Sequence, residues 1–421
     1  MKKNFIPSGF KKIALAVSGG SDSMALTILA RQWAKKNNID IIAFTIDHKL
    51  RTGSAMEAKF VENYMNKNNI FHKTLIWEGK KPKTGIQQKA RTERYKLLVD
   101  AINKHGTNYV LLGHHKDDEI ETFIMRLEKK SGLGGLSCMA PKNILLTDSG
   151  PINILRPFLE YDKNHLIHLC NEYKTQWVED PSNKNIIFKR AKIRSLDNNF
   201  IKNDFYKTIL VYKKLKNSIN ILLINFISEY TDFSDLGVCR FSRNQFIKSP
   251  IFIQELFLKK IFFSIGGKIY PPKSRVIRRI IKNISCENCK NFNAGKVFFD
   301  IKNKIIIVLR QPESNLNRIT LSKENTLWDR RFLVINKSNK SSISVGYLGY
   351  KDYLNLVKLK KIVKSDIHCY AVNTLPTIRS LDEIVYIPHL NYSEDKYWEK
   401  KIKVKYLYDE YLNLKDNFNQ E

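Results

Sequence analysis

Hydrophobic and polar positions follow a regular rhythm over the first 130 residues of the chain. Short apolar runs, typical of strands buried on both faces, alternate with stretches in which apolar residues recur every three or four positions. The predicted strands span 13–17, 41–46, 71–77 and 109–112, with 13–17 the clearest apolar run, and the helical stretches span 24–36, 55–67, 87–104 and 117–129. This alternation predicts a doubly wound parallel sheet covered on both faces by helices, an α/β fold.

After about residue 205 the rhythm changes. Residues 206–265 keep apolar side chains at helical spacing, 292–310 have the pattern of hairpin strands, and short strand-like runs return at about 340–395, including Glu383–Ile387. We predict three domains: an α/β domain at 1–205, a mostly helical middle domain at 206–320 and a small α+β domain at 321–421. No run of about 18 apolar residues occurs, and the N-terminus lacks the apolar core of a secretory signal, so a cytoplasmic protein is expected.

A phosphate-binding loop is predicted directly after the first strand. The sequence SGGSDS at 18–23 joins this strand to a helix, and its two glycines allow the backbone to approach an anion closely. N–H groups at a helix start point towards such an anion, and serine hydroxyls add hydrogen bonds. The loop is a candidate pyrophosphate cradle, although a turn in which Ser21 or Asp22 caps the helix would have the same composition. The candidate ligands are Ser18, Gly19, Gly20, Ser21, Asp22 and Ser23.

A second candidate site, GHHKDDEIET at 113–122, follows the fourth strand and begins a helix. In a doubly wound sheet, ligands bind at this carboxyl edge. Asp118 and Glu121 lie three residues apart on one helix face, where they could hold Mg²⁺ or receive an ammonium group. An acidic first turn that complements the helix dipole explains Asp117 and Asp118 equally well, but it explains the paired His114 and His115 less well.

Two further strings are expected near the same edge. DHKLR, which contains Asp47, His48 and Arg51, follows the second strand, and ARTERY places Arg91 and Arg94 three residues apart. Arginine suits the stabilisation of developing phosphate charge. Taken alone, each string is equally consistent with a solvated face.

The net charge points to a polyanionic partner. The chain carries 72 Lys and Arg against 41 Asp and Glu, a formal charge of +31. Lysine outnumbers arginine 54 to 18, so A/T-rich codons are an alternative source of part of the excess. The six cysteines are scattered, and the single CxxC at 286–289 has no second pair with which to complete a zinc site.

The motifs together resemble a known family. SGGSDS, DHKLR, ARTERY and LGHHKDDEIETFIMRL, followed by RPFL and WVEDPSNKN, resemble in order the N-terminal domain of the tRNA(Ile)-lysidine synthetases, members of the PP-loop ATP pyrophosphatase superfamily. Two later segments, 357–366 and 375–390, resemble the C-terminal domain of that family. The resemblance implies a PP-loop ATP-binding catalytic domain at 1–205 and tRNA-binding regions after it.

The resemblance also implies a two-step reaction. ATP adenylates C2 of the wobble cytidine in the CAU anticodon of tRNA(Ile), and free L-lysine then displaces AMP to give lysidine. In this scheme the 18–23 loop holds pyrophosphate, Asp22 helps to hold Mg²⁺, and Arg94 balances phosphate charge. Asp118 and Glu121 bind Mg²⁺ or the lysine ammonium. The remaining candidates for the nucleotide and lysine pocket are Asp47, His48, Arg51, His114, His115 and Asp117.

The tRNA is expected to contact basic stretches outside the pocket. The segment FKRAKIR resembles a basic string of the family and supplies Lys189, Arg190, Lys192 and Arg194, within a region at 181–220 that is rich in lysine and arginine. Two alternative functions are a PP-loop tRNA thiolase and a catalytically inactive tRNA-binding module. The thiolase is disfavoured because 85–95 contains no cysteine, and the inactive module because both motifs are intact.

Overall fold

The computed structural model describes residues 11–49, 53–79, 86–179, 199–313, 315, 317–321, 325–340 and 342–408. The chain divides into two compact units. The first contains residues 1–146 and 151–216, and the second contains residues 147–150 and 217–421. The prediction of three domains with boundaries after 205 and 320 stays a prediction.

The first unit is built on a six-stranded sheet with the order β3-β2-β1-β4-β6-β5. Neighbouring strands from β3 to β6 run parallel, as the alternating pattern predicts. The strands are β1 Lys12–Ala16, β2 Asp40–Asp47, β3 Phe71–Ile76, β4 Tyr109–Leu112, β5 Lys142–Thr147 and β6 Gly150–Leu155. The helices are α1 Ser21–Asn37, α2 Ser54–Lys67, α3 Ile86–Lys104, α4 Lys116–Glu128, α5 Leu133–Leu136 and α6 Lys163–Glu172.

Alternate residues of β1 point into two different cores. Ile13 and Leu15 pack with residues of α1, α2 and α6, whereas Ala14 packs with Leu98 and Ile102 of α3. The sheet is therefore covered on both faces, which explains why its central strands are continuous apolar runs. The strand order changes direction between β1 and β4, and the crevice at such a point is where doubly wound sheets bind ligands.

A long helix, α7 Asn199–Tyr230, belongs to the first unit up to Lys216 and to the second from Asn217. The helices that follow are α8 Arg243–Lys248, α9 Ile251–Ser264, α10 Ser274–Ser285, α11 Tyr350–Lys358, α12 Cys369–Asn373 and α13 Lys396–Lys401, with a 3-10 turn at Pro388–Leu390.

The described residues of the second unit form three antiparallel sheets, with the orders β7-β8-β11-β10-β9, β12-β15-β16-β17-β18 and β13-β14-β19. The strands are β7 Thr231–Ser234, β8 Val238–Ser242, β9 Phe292–Ala294, β10 Val297–Ile301, β11 Ile305–Arg310, β12 Ile319–Thr320, β13 Asn325–Trp328, β14 Phe332–Asn336, β15 Ile343–Tyr347, β16 Pro376–Ser380, β17 Glu383–Ile387, β18 Tyr392–Ser393 and β19 Ile402–Tyr406. One hydrophobic core includes residues from both sides of position 320, among them Phe257 and Trp328.

The hairpin expected at 292–310 is confirmed by β9, β10 and β11, and the strand expected at 383–387 is confirmed by β17. The helical pattern read through 206–265 is wrong between 231 and 242, where β7 and β8 form a hairpin. Its turn has Gly237 at a φ of 75°, and the Gly237 N–H donates to the Ser234 carbonyl. A glycine in the left-handed conformation cannot continue an α-helix. The turn at Gly237 therefore determines the local structure, although the apolar residues around it keep helical spacing.

Candidate functional site

The predicted phosphate loop joins β1 to α1 at the carboxyl edge of the sheet. Gly19 has a φ of +87°, a conformation that side chains rarely adopt. The Ser23 hydroxyl donates to the Gly20 carbonyl at 2.9 Å and lies 3.2 Å from the Ser18 N–H, which donates to it. These bonds fix the chain around the start of α1, where first-turn N–H groups have no intrahelical acceptor. The loop therefore has the construction of an anion cradle.

The end of β4 packs directly against this loop. A Cβ atom on Gly113 would lie 3.0 Å from the carbonyl oxygen of Asp22, so only glycine fits without a shift. This close approach places His115 and the first turn of α4 beside the first turn of α1. Residues 22 and 113–118 thus meet across more than 90 positions of sequence, as the topology of the sheet predicts.

His115 lies at the centre of three carboxylates. Its side chain is 3% exposed, and its Nε2 atom lies 3.4 Å from Asp22 Oδ2 and 3.5 Å from Asp118 Oδ2. Its Nδ1 atom lies 3.4 Å from Asp117 Oδ2. The Asp118 carboxylate also accepts a hydrogen bond from the His115 N–H at 3.1 Å, and Asp117 accepts one from the N–H of Lys163.

The electrostatics of this cluster favour the charged forms of His115, Asp117 and Asp22. Burial alone would lower the pKa of His115, but the adjacent carboxylates of Asp117 and Asp22 raise it to about 10. The contact with His115 lowers the pKa of Asp117 to about 2. Burial raises the pKa of Asp22, yet the contact with His115 brings it below its usual value. A protonated imidazole therefore joins the start of α1 to the start of α4.

The acidic residues of α4 point in two directions. Asp118 is part of the His115 cluster, and Glu121, one turn further along, is only 3% exposed. Glu119 is fully buried and accepts hydrogen bonds from Lys213 at 2.6 Å and from the Met139 N–H at 3.1 Å. Burial raises the pKa of Glu119 despite its contact with Lys213. Sequence reasoning did not distinguish Glu119 from its neighbours, because its partner lies 94 positions away.

A second group of predicted residues lies where β2 ends, one strand along from β1. Asp47 is 5% exposed and accepts a hydrogen bond from the Lys49 N–H at 2.8 Å. His48 packs edge-on against Trp77, and its Nε2 lies 3.4 Å from Nε of Arg94. The structure thus brings His48 of the first string to Arg94 of the second, with the Arg94 side chain exposed.

The remaining predicted residues are distributed as follows. His114 is half-buried beside His115 at the end of β4. The predicted residues that lie outside the described residues are Arg51, Lys189, Arg190, Lys192 and Arg194. Cys286 and Cys289 lie in the second unit, just after α10, and both are free thiols. None of the described helices has the length and apolar character needed to cross a membrane.

The fold and the loop define the class of protein. A family model described as a PP-loop domain matches residues 1–199, the part of the chain that carries the cradle and the His115 cluster. The first unit is therefore a PP-loop ATP-binding domain.

Curated relatives extend this match over nearly the whole chain. A tRNA(Ile)-lysidine synthase of Rickettsia bellii is 32% identical over 405 residues, covering 92% of this chain and 91% of the relative. A protein of the same name from Rickettsia prowazekii is 30% identical, and the match covers 94% of this chain and 93% of the relative. Another from Wolbachia pipientis is also 30% identical, and that match covers 91% of this chain and 89% of the relative. The chain belongs to the tRNA(Ile)-lysidine synthase family, whose members are ATP-using ligases, and the resemblance read from the motifs is confirmed.

One solved structure also aligns with part of the chain. It is a U34-tRNA thiolase from Methanococcus maripaludis, 16% identical, and it covers 49% of this chain and 73% of its own with a TM-score of 0.42. A likeness of this size carries no argument about activity.

Proposed function

We propose that this enzyme ligates free L-lysine to C2 of the wobble cytidine in the CAU anticodon of tRNA(Ile). The observation that carries the proposal is the His115 cluster, which sets two carboxylates of α4 beside the phosphate loop at the switch point of the sheet. It is supported by relatives of this name that align along almost the full chain. Binding of tRNA(Ile) and lysine is part of the same proposal.

The first step is adenylation of the base. The C2 oxygen of cytidine attacks the α-phosphorus of ATP, the bond to the β-phosphate oxygen breaks, and pyrophosphate leaves. The 18–23 loop and the N-terminus of α1 stabilise the negative charge on pyrophosphate. Arg94, held by His48 at the neighbouring strand end, offsets charge on the triphosphate.

The second step is attack by lysine. The amine attacks C2, the bond from C2 to the AMP oxygen breaks, and AMP leaves with the former C2 oxygen. The lysine ammonium must lose one proton before it attacks and a second proton after the C–N bond forms. We assign the binding of the ammonium and the acceptance of a proton to Asp118 and Glu121, which lie one helical turn apart. His115 is a positioning residue in this scheme, because it holds Asp118 and Asp22 in place.

Magnesium fits the donors present. Asp22 and Asp118 both lie within 3.5 Å of one imidazole nitrogen, so their hard oxygen donors adjoin each other and the phosphate loop. Proteins usually bind Mg²⁺ through one or two carboxylates together with substrate phosphates. In the part of the chain that the structure describes, no group of three or more His, Cys, Asp or Glu is placed to hold a metal ion. When bound, Mg²⁺ would neutralise charge on the triphosphate.

The test is ATP-dependent transfer of labelled lysine to a tRNA(Ile) transcript, with a tRNA(Met) transcript as the control because it also has a CAU anticodon. We expect transfer to tRNA(Ile) alone. Asp118→Asn and Glu121→Gln should each lower lysine transfer at least 100-fold, whereas Glu128→Gln at the exposed end of the same helix should not. Transfer of labelled sulfur, or tRNA binding without consumption of ATP, would replace the proposal with a thiolase or an inactive binding module.

A further inference from the structure

Helix α10 and the loop before it form a strongly basic segment of the second unit that the proposed chemistry does not use. Residues 266–285 contain six Lys and Arg and no Asp or Glu. The helix has isoleucines at 277, 280, 281 and 284, all of them buried in the main core of the unit. This spacing fixes one face of the helix inward, so the opposite face must lie towards solvent.

The outward face of α10 is a row of cations. Each cation precedes one of the buried isoleucines by two positions, so the cations share the same helical spacing. All four are exposed: Arg275, Arg278, Arg279 and Lys282. Arg278 is paired with Glu255 at 3.0 Å. Within the described ranges, no acidic side chain pairs with Arg275, Arg279 or Lys282. Like charges three or four residues apart on a helix repel each other, so this row lowers the stability of the isolated protein.

Codon usage does not account for this row. Arginine supplies 18 of the 72 basic residues of the chain, but three of the four on this face. The planar guanidinium donates two parallel hydrogen bonds to phosphate oxygens, which the lysine ammonium does not. The composition of the face therefore indicates phosphate recognition more than a general excess of lysine.

The helix is also unlike one that lies in a membrane surface. An interfacial helix needs an apolar face to insert between lipids. The apolar face of α10 is already occupied, since Ile277 and Ile284 are each 0% exposed in the protein core. Only the charged face is available to a partner, and a polyanion can pair with these cations without any part of the helix entering a membrane.

An aromatic ring adjoins this face in sequence. Tyr270 is 81% exposed, in the loop that leads into α10 and that also carries Lys268. Exposed aromatic rings among cations are typical of RNA-binding surfaces, where they stack on unpaired bases. Without such a partner, the apolar part of the Tyr270 ring would lie in water and bury no surface.

We propose that the α10 face, defined as Arg275, Arg279 and Lys282, forms together with the preceding loop residue Tyr270 a second tRNA-binding surface, distinct from the reaction site and from the basic stretch at 181–220. The three cations bind backbone phosphates, and Tyr270 stacks on an unpaired base. The inference rests on the proposed function only in taking tRNA as the substrate. Because the α10 face takes no part in the chemistry, it sets the affinity for tRNA and not the rate of the chemical steps.

The experiment compares two sets of substitutions in the full chain. Arg275→Gln, Arg279→Gln and Lys282→Gln together remove the charge, whereas Arg275→Lys with Arg279→Lys keeps it, and both sets use good helix formers. For the first set we expect the KM for tRNA to rise about tenfold or more and the slope of log Kd against log salt to fall by about 2 to 3. The kcat and the KM values for ATP and lysine should not change. The charge-retaining set should stay within a few-fold of the parent enzyme.

Tyrosine 270 is tested with the pair Tyr270→Ala and Tyr270→Phe. The alanine variant should weaken tRNA binding about fivefold or more, and the phenylalanine variant, which keeps the ring, should bind as the parent does. An unchanged KM for tRNA in the triple glutamine variant of an enzyme that transfers lysine would overturn the inference and leave the proposed function intact.

Direct binding separates the inference from the reaction. If the parent protein transfers no lysine, the proposed function fails, while filter binding of the tRNA transcript to parent and variant still tests the α10 face. Vesicles of phosphatidylserine are the control for a lipid partner. Binding to these vesicles that is lost in the glutamine variant, together with unchanged tRNA binding, would overturn the assignment to RNA.

Discussion

A single imidazole, that of His115, contacts carboxylates from two different helices. Asp22 begins α1, and Asp117 and Asp118 begin α4. Three anions gathered at one edge would repel each other, and the buried cation offsets this repulsion. The residue therefore links the phosphate loop to the acidic turn, and its effect should appear in both stability and activity.

We expect His115→Gln to lower the free energy of unfolding by about 1–3 kcal/mol, less than for a fully buried ion pair because the carboxylates are 19–30% exposed. Exchange of pyrophosphate into ATP in the presence of tRNA should fall at least 100-fold. Urea unfolding and the exchange assay measure the two effects. The matched control is His165→Gln, whose side chain is 69% exposed. Parent-like exchange in the His115 variant would contradict a positioning role.

A second histidine allows a prediction about pH. His389 lies in the 3-10 turn Pro388–Leu390 against the ring of Phe332. Burial lowers its pKa from 6.5 to about 4, with Asp235 acting against this shift and Arg331 adding to it. The unfolded chain then binds more protons than the folded protein between pH 4 and 6.5, so stability falls as pH falls through this range.

Relative to His389→Asn, the parent protein should lose about 2 kcal/mol of unfolding free energy between pH 7 and pH 5. Denaturant unfolding of both proteins at the two pH values gives this difference directly. Above pH 7 the difference between them should no longer depend on pH. Equal pH slopes for the two proteins would mean that His389 titrates normally in the folded state.

The sequence predicts most residues of the candidate site but not their contacts. Asp22, Asp118 and Glu121 were recognisable because each follows a predicted strand at the same sheet edge. The central place of His115 is not recognisable from the sequence, because it depends on contact with Asp22. That contact is made possible by the close approach of Gly113 to the start of α1. Glu119 was missed for the same reason, since its partner Lys213 lies on a helix 94 positions later.

The phosphate loop depends on backbone geometry at Gly19. This residue has a φ of +87°, and a Cβ there would lie 3.1 Å from Cγ2 of Val61. Gly19→Ala should therefore strain the loop by about 1–3 kcal/mol and raise the KM for ATP at least tenfold. Initial-rate measurements with varied ATP test this.

The control for this change is Gly134→Ala in α5, where a Cβ would meet nothing within 4 Å. This second variant should keep the parent KM for ATP, because alanine is a better helix former than glycine and nothing opposes its methyl group. An equal effect of both substitutions would show that the loop geometry is not the cause.

The contact between α4 and α7 combines a hydrophobic cluster around Phe123 and Ile209 with an ion pair of unequal burial. Glu119 is fully buried, whereas Lys213 is 24% exposed. Lys213→Met leaves the carboxylate of Glu119 buried without its cation and should lower the unfolding free energy by about 2–4 kcal/mol. Adding Glu119→Gln should restore part of this loss, and a double-mutant cycle in urea measures the coupling. Additive effects of the two substitutions would indicate that the pair does not hold the helices together.

At the level of elements, periodicity predicted the first unit well and the second less well. In the first unit β1, β2, β3 and β4 are each followed by a helix, and burial on both faces leaves clear apolar runs in β1 and β4. In the second unit the hairpin of β7 and β8 follows a 32-residue helix whose apolar spacing continues up to it. Only the glycine turn at 237 marks the change, and antiparallel pairing depends on partners distant in sequence, such as β8 with β11.

The charge of +31 belongs to the whole molecule, but only cations that face phosphates release counterions when tRNA binds. If about 6–10 contacts form, the slope of log affinity against log salt is about −5 to −9, and affinity falls roughly 10³- to 10⁵-fold between 50 and 200 mM salt. Filter binding of a tRNA(Ile) transcript over that range measures the slope, with ATP affinity as the control that should change little. A slope near −1 would mean that most of the charge is compositional, and one near −28 would mean that almost every excess cation contacts the tRNA.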